Sequence, residues 1–400
     1  MLCASGNPSR TLDFSMLRRR LGALGRVIVA AAPLLCGTAM AQEDPAAEPS
    51  AEIGQPRADE AVAAPPADTD DAESARLYAT NAERREAGRK HPLTSWLTAT
   101  ALVELEWQSQ TSRSAERDAR DRLSDTAANA QVGLIVAPWR NAKAEAVLEY
   151  DSSIGRIVAD EAFVSAEIAE WEIEAGRLHT PLGIYLSHFA SGPLLEFAES
   201  SVDGALLSYT PADRPGLKLM GYRGKARPVG GGSEALSWAA SVEARAARWL
   251  FGLSYQSDLA DSREALLQDF DNRYVNRVGA VGGYAVWTAP GFDLTFEVVR
   301  ALESFRELES DRDRPVAWNL EFVHAVHPRF DWALRWEGSR ELADAPARQA
   351  GLALTWRPAE RASLTVEYLH GWFSGGLATN EDGEPYASAY RIGAKLSVAF

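Results

Sequence analysis

The chain has 400 residues, 46% hydrophobic and 24% charged, with a formal net charge of −15. That length suits one large domain or two ordinary ones, and so acidic a balance excludes nucleic acid as a partner, because phosphate binding needs a basic face. Cys3 and Cys36 are the only cysteines, so everything after residue 36 lacks a disulfide, a thiolate metal site and a thiol nucleophile.

Arg18, Arg19, Arg20 and Arg26 precede the apolar run Val27 to Leu35, and Ala39-Met40-Ala41 follows. A basic stretch, an apolar stretch and small residues around a cleavage point read as a secretory signal over residues 1–41, cut before Gln42. The apolar run falls far short of the ~20 residues that a membrane-spanning helix needs. Leu35 is too large for a lipoprotein site at Cys36, and Met16 is an alternative start. Cleavage removes five arginines and Asp13, taking the net charge from −15 to −19. Residues 42–93 are rich in Ala, Pro and acid, as at Asp44-Pro45, Pro65-Pro66 and Asp70-Asp71. With so few large apolar side chains to bury, the segment is expected to be disordered and periplasmic, with room for one short helix over residues 76–90.

From about residue 94 to Phe400 the pattern changes to a two-residue alternation. Leu97, Ala99, Ala101, Val103, Leu105 and Trp107 oppose Thr98, Thr100, Glu104 and Glu106, and similar runs recur to the end. In the last of them, Tyr390, Ile392, Ala394, Leu396, Val398 and Phe400 share one side, while Arg391 and Lys395 lie on the other. Alone, such a strand fits a soluble β-sandwich as well as a wall between lipid and water. The connections decide between them. Short ones, many with Pro, fall near 139, 170, 213, 247, 290, 328 and 359; longer charged ones fall near 110–126, 151–160, 180–202, 224–234, 256–276, 300–314, 338–347 and 371–387. Strict alternation of short and long connections over about 16 strands predicts an all-β, transmembrane antiparallel β-barrel with both termini in the periplasm. Trp and Tyr near the strand ends suit the headgroup level. Lys or Arg facing lipid at the midplane costs roughly 2–4 kcal/mol, so the side holding Glu104, Lys143, Glu174, Glu297, Glu321, Arg335 and Glu367 must face water. An ending in Phe400 after such alternation resembles the C-terminal assembly signal of bacterial outer-membrane barrels, and the resemblance implies the Gram-negative outer membrane, with its lipids and lipopolysaccharide as surroundings. It also implies the barrel-assembly machinery as a partner for the strand ending at Phe400.

Little in the sequence suggests catalysis. The histidines are His91, His179, His188, His324, His327 and His370, and no pair of them has metal-ligand spacing; His324 and His327 straddle a turn. Phosphate-loop, nucleophile-elbow and zincin patterns are lacking. Ser187-His188 is a lone Ser-His dipeptide, a weak signal without a partner group, so an outer-membrane lipid or peptide hydrolase is the weaker reading. No enzyme activity, cofactor or metal is expected.

The most apolar of the long loops covers residues 180–202 and either enters the barrel or packs across its rim. Gly176-Arg177-Leu178-His179-Thr180-Pro181-Leu182-Gly183 leads into it after an acidic strand, and Ser191-Gly192-Pro193-Leu194, Glu196 and Glu199 follow. This run resembles the LbtU-family siderophore porins, outer-membrane barrels associated with uptake of iron–siderophore complexes. Leu182 departs from the aromatic residue expected there. Phosphate-selective porins carry a related turn, so a phosphate- or carbohydrate-selective or a general porin is the alternative. Arg177, His179, Tyr185, His188, Glu196, Glu199 and Asp203 are the candidate constriction residues, offering both signs of charge beside aromatic rings. Because Glu outnumbers Lys and Arg on the water-facing side, the pore is expected to prefer cations.

Overall fold

A computed structural model describes residues 91–115, 120–152, 155–190, 192–230, 236–262, 266–267, 272–309, 312–374, 376–380 and 383–400. The expected signal over 1–41 and the expected disordered segment as far as residue 90 lie outside the described residues. The first half contains β1 (His91–Pro92), β2 (Leu97–Ser114), β3 (Arg120–Trp139), β4 (Ala142–Asp151), β5 (Arg156–Ile168), β6 (Trp171–His179) and the short helix α1 (Pro193–Ala198). There follow β7 (Ser201–Tyr209), β8 (Gly216–Arg223), β9 (Arg227–Pro228), β10 (Leu236–Ala246), β11 (Trp249–Gln256) and β12 (Arg273–Tyr274). The chain closes with β13 (Ala280–Ala289), β14 (Phe292–Ala301), β15 (Val316–His327), β16 (Phe330–Arg340), β17 (Arg348–Ala359), β18 (Ala362–Trp372) and β19 (Tyr386–Ala399).

Three of these, β1, β9 and β12, are two-residue pieces. The other sixteen form one closed antiparallel ring in which each strand pairs with its neighbour in the chain. Closure is made by β19 on β2, from Tyr386 opposite Ser114 to Ala399 opposite Leu102. A closed sheet leaves no unpaired edge to aggregate. At the seam, Phe400 N donates to Ala101 O at 2.8 Å, and Ala101 N donates back to Phe400 O at 3.4 Å. Beyond that point β1 takes over the same edge of β2, with His91 opposite Ala99 and Pro92 opposite Thr98. Among the described residues, pairing therefore begins at His91.

The two faces of the sheet are inverted relative to a soluble protein. Large apolar side chains on the outer face, including Leu134, Leu148, Val164, Ile173, Leu219, Leu253, Leu334 and Leu354, are exposed. The polar face turns inward, and Glu104, Glu149, Glu297, Glu321, Glu337 and Glu367 on it are buried. This is the arrangement that lipid outside and water inside select. Aromatic rings cluster at both ends of the outer face. Trp171 and Tyr209, beside short turns, lie 4.7 Å apart, while Trp318, Trp336 and Trp372 form a row towards the long loops. His324 belongs to the short-turn end, stacked on Phe292 at 4.3 Å and edge-on to Trp332.

Six of the seven short connections are two-residue turns, and the exception is 210–215. The first long loop is shorter than the sequence suggested, because β2 runs on to Ser114 and β3 starts at Arg120. Beyond Gln108 the sequence loses its apolar side, since no lipid selects for one there, yet backbone pairing continues as far as Arg113 opposite Arg120. The long loops bury a compact apolar cluster in which Leu182, Leu194 and Phe197 pack with Leu259, Leu267, Val278, Phe305 and Leu342. Asp261 ties two of these loops together, accepting from Lys225 N at 2.7 Å, Ala226 N at 2.9 Å and Ser237 Oγ at 3.3 Å. Beside it, burial and then the neighbouring Asp261 charge push the Asp258 carboxyl up to about 7, although Arg277 Nε lies 3.5 Å away.

Candidate constriction of the bore

The segment between β6 and β7 leaves the sheet at Thr180, whose N donates to Ser200 O at 2.9 Å and so pinches the two ends of the loop together. From there it crosses to strands far round the ring. Thr180 Oγ1 donates to Gln256 Oε1 on β11 at 2.8 Å. Gly183 N donates to Ser254 Oγ on the same strand at 3.1 Å. Ile184 N and Tyr185 N then donate to the Glu297 carboxylate on β14, at 2.6 and 3.0 Å. Ser187 Oγ and His188 N donate to the two oxygens of Glu321 on β15, at 2.7 and 2.8 Å. Ala190 N donates to Glu367 Oε2 on β18 at 2.9 Å. Three inward carboxylates on three strands thus hold successive backbone N–H groups of one loop, and a hydrogen bond to an ionised acceptor is about twice as strong as a neutral one.

Side chains complete the docking. Phe189 enters a pocket of Val323, Ala333, Ala353 and Leu369, and the Arg335 guanidinium lies over its ring at 4.1 Å. Arg335 also donates to Ser187 Oγ at 3.0 Å and pairs with Glu337 at 2.9 Å. Gln349 donates to that same Glu337 at 2.7 Å. Such a network is worth its desolvation only when its members are satisfied together. The Gly-Arg-x-x-x-Pro-x-Gly run ends at Gly183 for a structural reason. Its φ is +79°, and a Cβ there would meet Glu297 Oε1 at 2.3 Å, so only glycine lets the backbone come this close. Tyr185 follows in the left-handed region at φ 48°. Burial and then Glu297 raise its phenol well above the ordinary range, and the hydroxyl finds no hydrogen-bond partner among the described residues.

The seven residues picked from the sequence divide into four groups. Tyr185 and His188 lie in the loop where it meets the wall, with His188 Nδ1 3.3 Å from Glu321 and Nε2 4.0 Å from Asp331. His179 and Glu199 form its neck: His179 Nδ1 is 3.6 Å from Glu199, and Nε2 is 3.4 Å from Glu161 and 3.9 Å from Asp160. Glu196 is on α1. Arg177 and Asp203 are corrected. They pair at 3.1 Å directly across β6 and β7, on the side of the sheet opposite Leu178 and Val202, which are buried inward. Alternation along the strand therefore puts this ion pair on the outer surface of the barrel, away from the bore.

The wall residues that receive the loop, Glu297, Glu321, Arg335, Glu337 and Glu367, were legible as water-facing but not as docking points. The bore has a second acidic surface that this loop does not touch through any of these bonds. Glu145, Glu167, Glu172 and Glu174 line it on β4, β5 and β6, accompanied by Lys143 and by Lys218 on β8.

No family model and no curated protein sequence matches the chain. Solved structures do. The anion-selective porin from Comamonas acidovorans aligns with a TM-score of 0.56 at 10% identity, covering 76% of this chain and 99% of that one. OmpF of Salmonella typhi, in complex with daunomycin, aligns at 0.55 and 12% identity over 76% and 98%. The outer membrane channel DcaP of Acinetobacter baumannii aligns at 0.52 and 13% identity over 78% and 99%. Likeness at such identities reaches the fold and stops short of any solute. The chain has the closed, sixteen-stranded antiparallel fold of the porin-type barrels of the Gram-negative outer membrane.

Proposed function

We propose that this barrel is a passive pore for small solutes, narrowed by the 180–200 loop and preferring cations. The observation that carries the reading is the loop docked on Glu297, Glu321 and Glu367, because a segment fastened across the bore reduces its open section. Tyr185 and His188 then belong to the narrow zone, and His179 and Glu199 to the hinge through which the loop enters. Sixteen strands give a bore wide enough for an aqueous channel even after a loop has entered. Its charge comes from the surface the loop leaves uncovered, where Glu145, Glu167, Glu172 and Glu174 outnumber Lys143 and Lys218. Carboxylate-lined pores favour cations. The reversal potential of the purified protein across a salt gradient tests this, and an anion-selective sign would sink it. The preference should fade with salt, as the Debye length falls from about 10 Å at 0.1 M to about 3 Å at 1 M.

Iron–siderophore complexes are the second reading, supported by the resemblance of the 176–199 run. Uptake of labelled siderophore, phosphate and sugars into a porin-deficient host separates the two. Siderophore uptake no faster than that of a neutral sugar of similar size removes the second reading and leaves the first intact.

A further inference from the structure

Beside the docked loop, between β18, β19, β2 and β3, the bore keeps a cavity of about 180 Å³. Ala190 of the loop forms one side of it. The opposite side is a strip of wall in which charge changes sign from strand to strand. Glu367 lies on β18, Arg391 and Lys395 on β19, Glu106 on β2 and Asp125 on β3. The register fixes the strip: Lys395 is opposite Glu106, Gly393 is opposite both Gln108 and Glu367, and Gln108 is opposite Asp125. A cationic rail is therefore flanked by acids on both sides, with neighbouring strands only ~4.8 Å apart.

Lys395 is already placed between acids, its Nζ 3.8 Å from Glu104 and 3.6 Å from Glu106. Arg391 sits four residues away, ~13 Å along the strand, and its planar guanidinium suits a carboxylate better than an ammonium group does. Glu106 and Asp125, on the next two strands, line the same cavity as Arg391. A simple anion meets three carboxylates here, and a simple cation meets two bases. A solute carrying both charges a few ångströms apart meets a complement for each.

We propose that this cavity is a transit site for small zwitterions of the amino-acid type, their carboxylate held by Arg391 and their ammonium by Asp125 and Glu106. The inference rests on the pore reading and names the solute class of that pore. Swelling of liposomes that contain the purified full-length barrel tests it, with glutamine, glutamate and mannitol as probes. Glutamine should enter faster than mannitol, which is of similar size and uncharged, and faster than the net anion glutamate. Arg391→Gln should cut the glutamine-to-mannitol ratio about fivefold, the net worth of one typical hydrogen bond. Arg140→Gln, in the two-residue turn between β3 and β4, should leave that ratio where it was. Heat-modifiable gel mobility of each variant shows whether the barrel has folded. Swelling with mannitol but no advantage for glutamine overturns the proposal while the pore stands. A normal glutamine-to-mannitol ratio in folded Arg391→Gln overturns it too. No swelling with any solute overturns the pore reading itself.

Discussion

Two acidic walls face each other across this bore, and they use the same side chain for different ends. On β14, β15 and β18, Glu297, Glu321 and Glu367 are 0%, 2% and 5% exposed, each accepting from a backbone N–H of the 180–200 loop. On β5 and β6, Glu167 is exposed and Glu172 and Glu174 are partly so. A buried carboxylate is tolerable only when donors replace its water, and the loop backbone supplies them. The open wall keeps its water and its field. Net acidity thus overstates the charge a solute meets, because much of one wall is committed to holding the loop.

That contrast yields its largest expected effect at Glu321. Glu321→Ala removes the acceptor of Ser187 and His188 together and leaves the Arg335 charge short of a partner. Breaking a buried, paired charge costs roughly 3–5 kcal/mol, so the loop should detach locally. Raised single-channel conductance and new protease cleavage between residues 184 and 195 would register this. Glu297→Gln should act more mildly, since one carbonyl oxygen still accepts. Weakening the hydrogen bonds from Ile184 and Tyr185 should cost about 1–3 kcal/mol, read as faster amide exchange at those two residues. Like exchange in mutant and wild type would place the loop's hold elsewhere.

On the open wall the expectation reverses. Glu172→Gln with Glu174→Gln should change stability by less than about 0.5 kcal/mol, as water-facing substitutions usually do. Cation preference should nevertheless fall. If instead the barrel loses stability and its selectivity stays, the two walls do not differ in the way described.

How much of this the sequence revealed varied with depth. The barrel was legible because lipid outside and water inside impose a period of two, and because six of the seven short connections are two-residue turns. Above the membrane that pressure ends, which is why the extensions of β2 and β3 read as loop. The loop itself stood out by its apolar residues, and Leu182, Phe189, Leu194 and Phe197 are all buried. Its partners were not legible, since any of a dozen inward acids could have received it, and only tertiary geometry selects Glu297, Glu321 and Glu367. Arg177 and Asp203 were chosen for nearness to the loop. The alternation already present in the sequence, with Arg177 in step with Ile173, puts them outside.

The smallest effect concerns the outer loops. Asp258 has its carboxyl pushed up to about 7 by burial and by Asp261. A raised acid pKa stabilises most below the unfolded value of about 3.9, and that contribution is lost as pH rises towards 7. The 257–279 loop should therefore be better protected at pH 5 than at pH 8. Amide exchange at Ala260, which donates to Asp258 Oδ1 at 3.1 Å, measures this once intrinsic rates are corrected. Greater protection at pH 8 would reverse the sign.

If the 180–200 loop lies across the bore and narrows it, removing its tip should widen the pore. Single-channel conductance in a planar bilayer, for the intact barrel and for one lacking residues 186–195, tests it most directly. The deletion removes Ser187, His188, Phe189 and Ala190 while sparing the pinch between Thr180 and Ser200. A clear rise in conductance is the expected result, and an unchanged conductance in a folded, heat-modifiable barrel would contradict it.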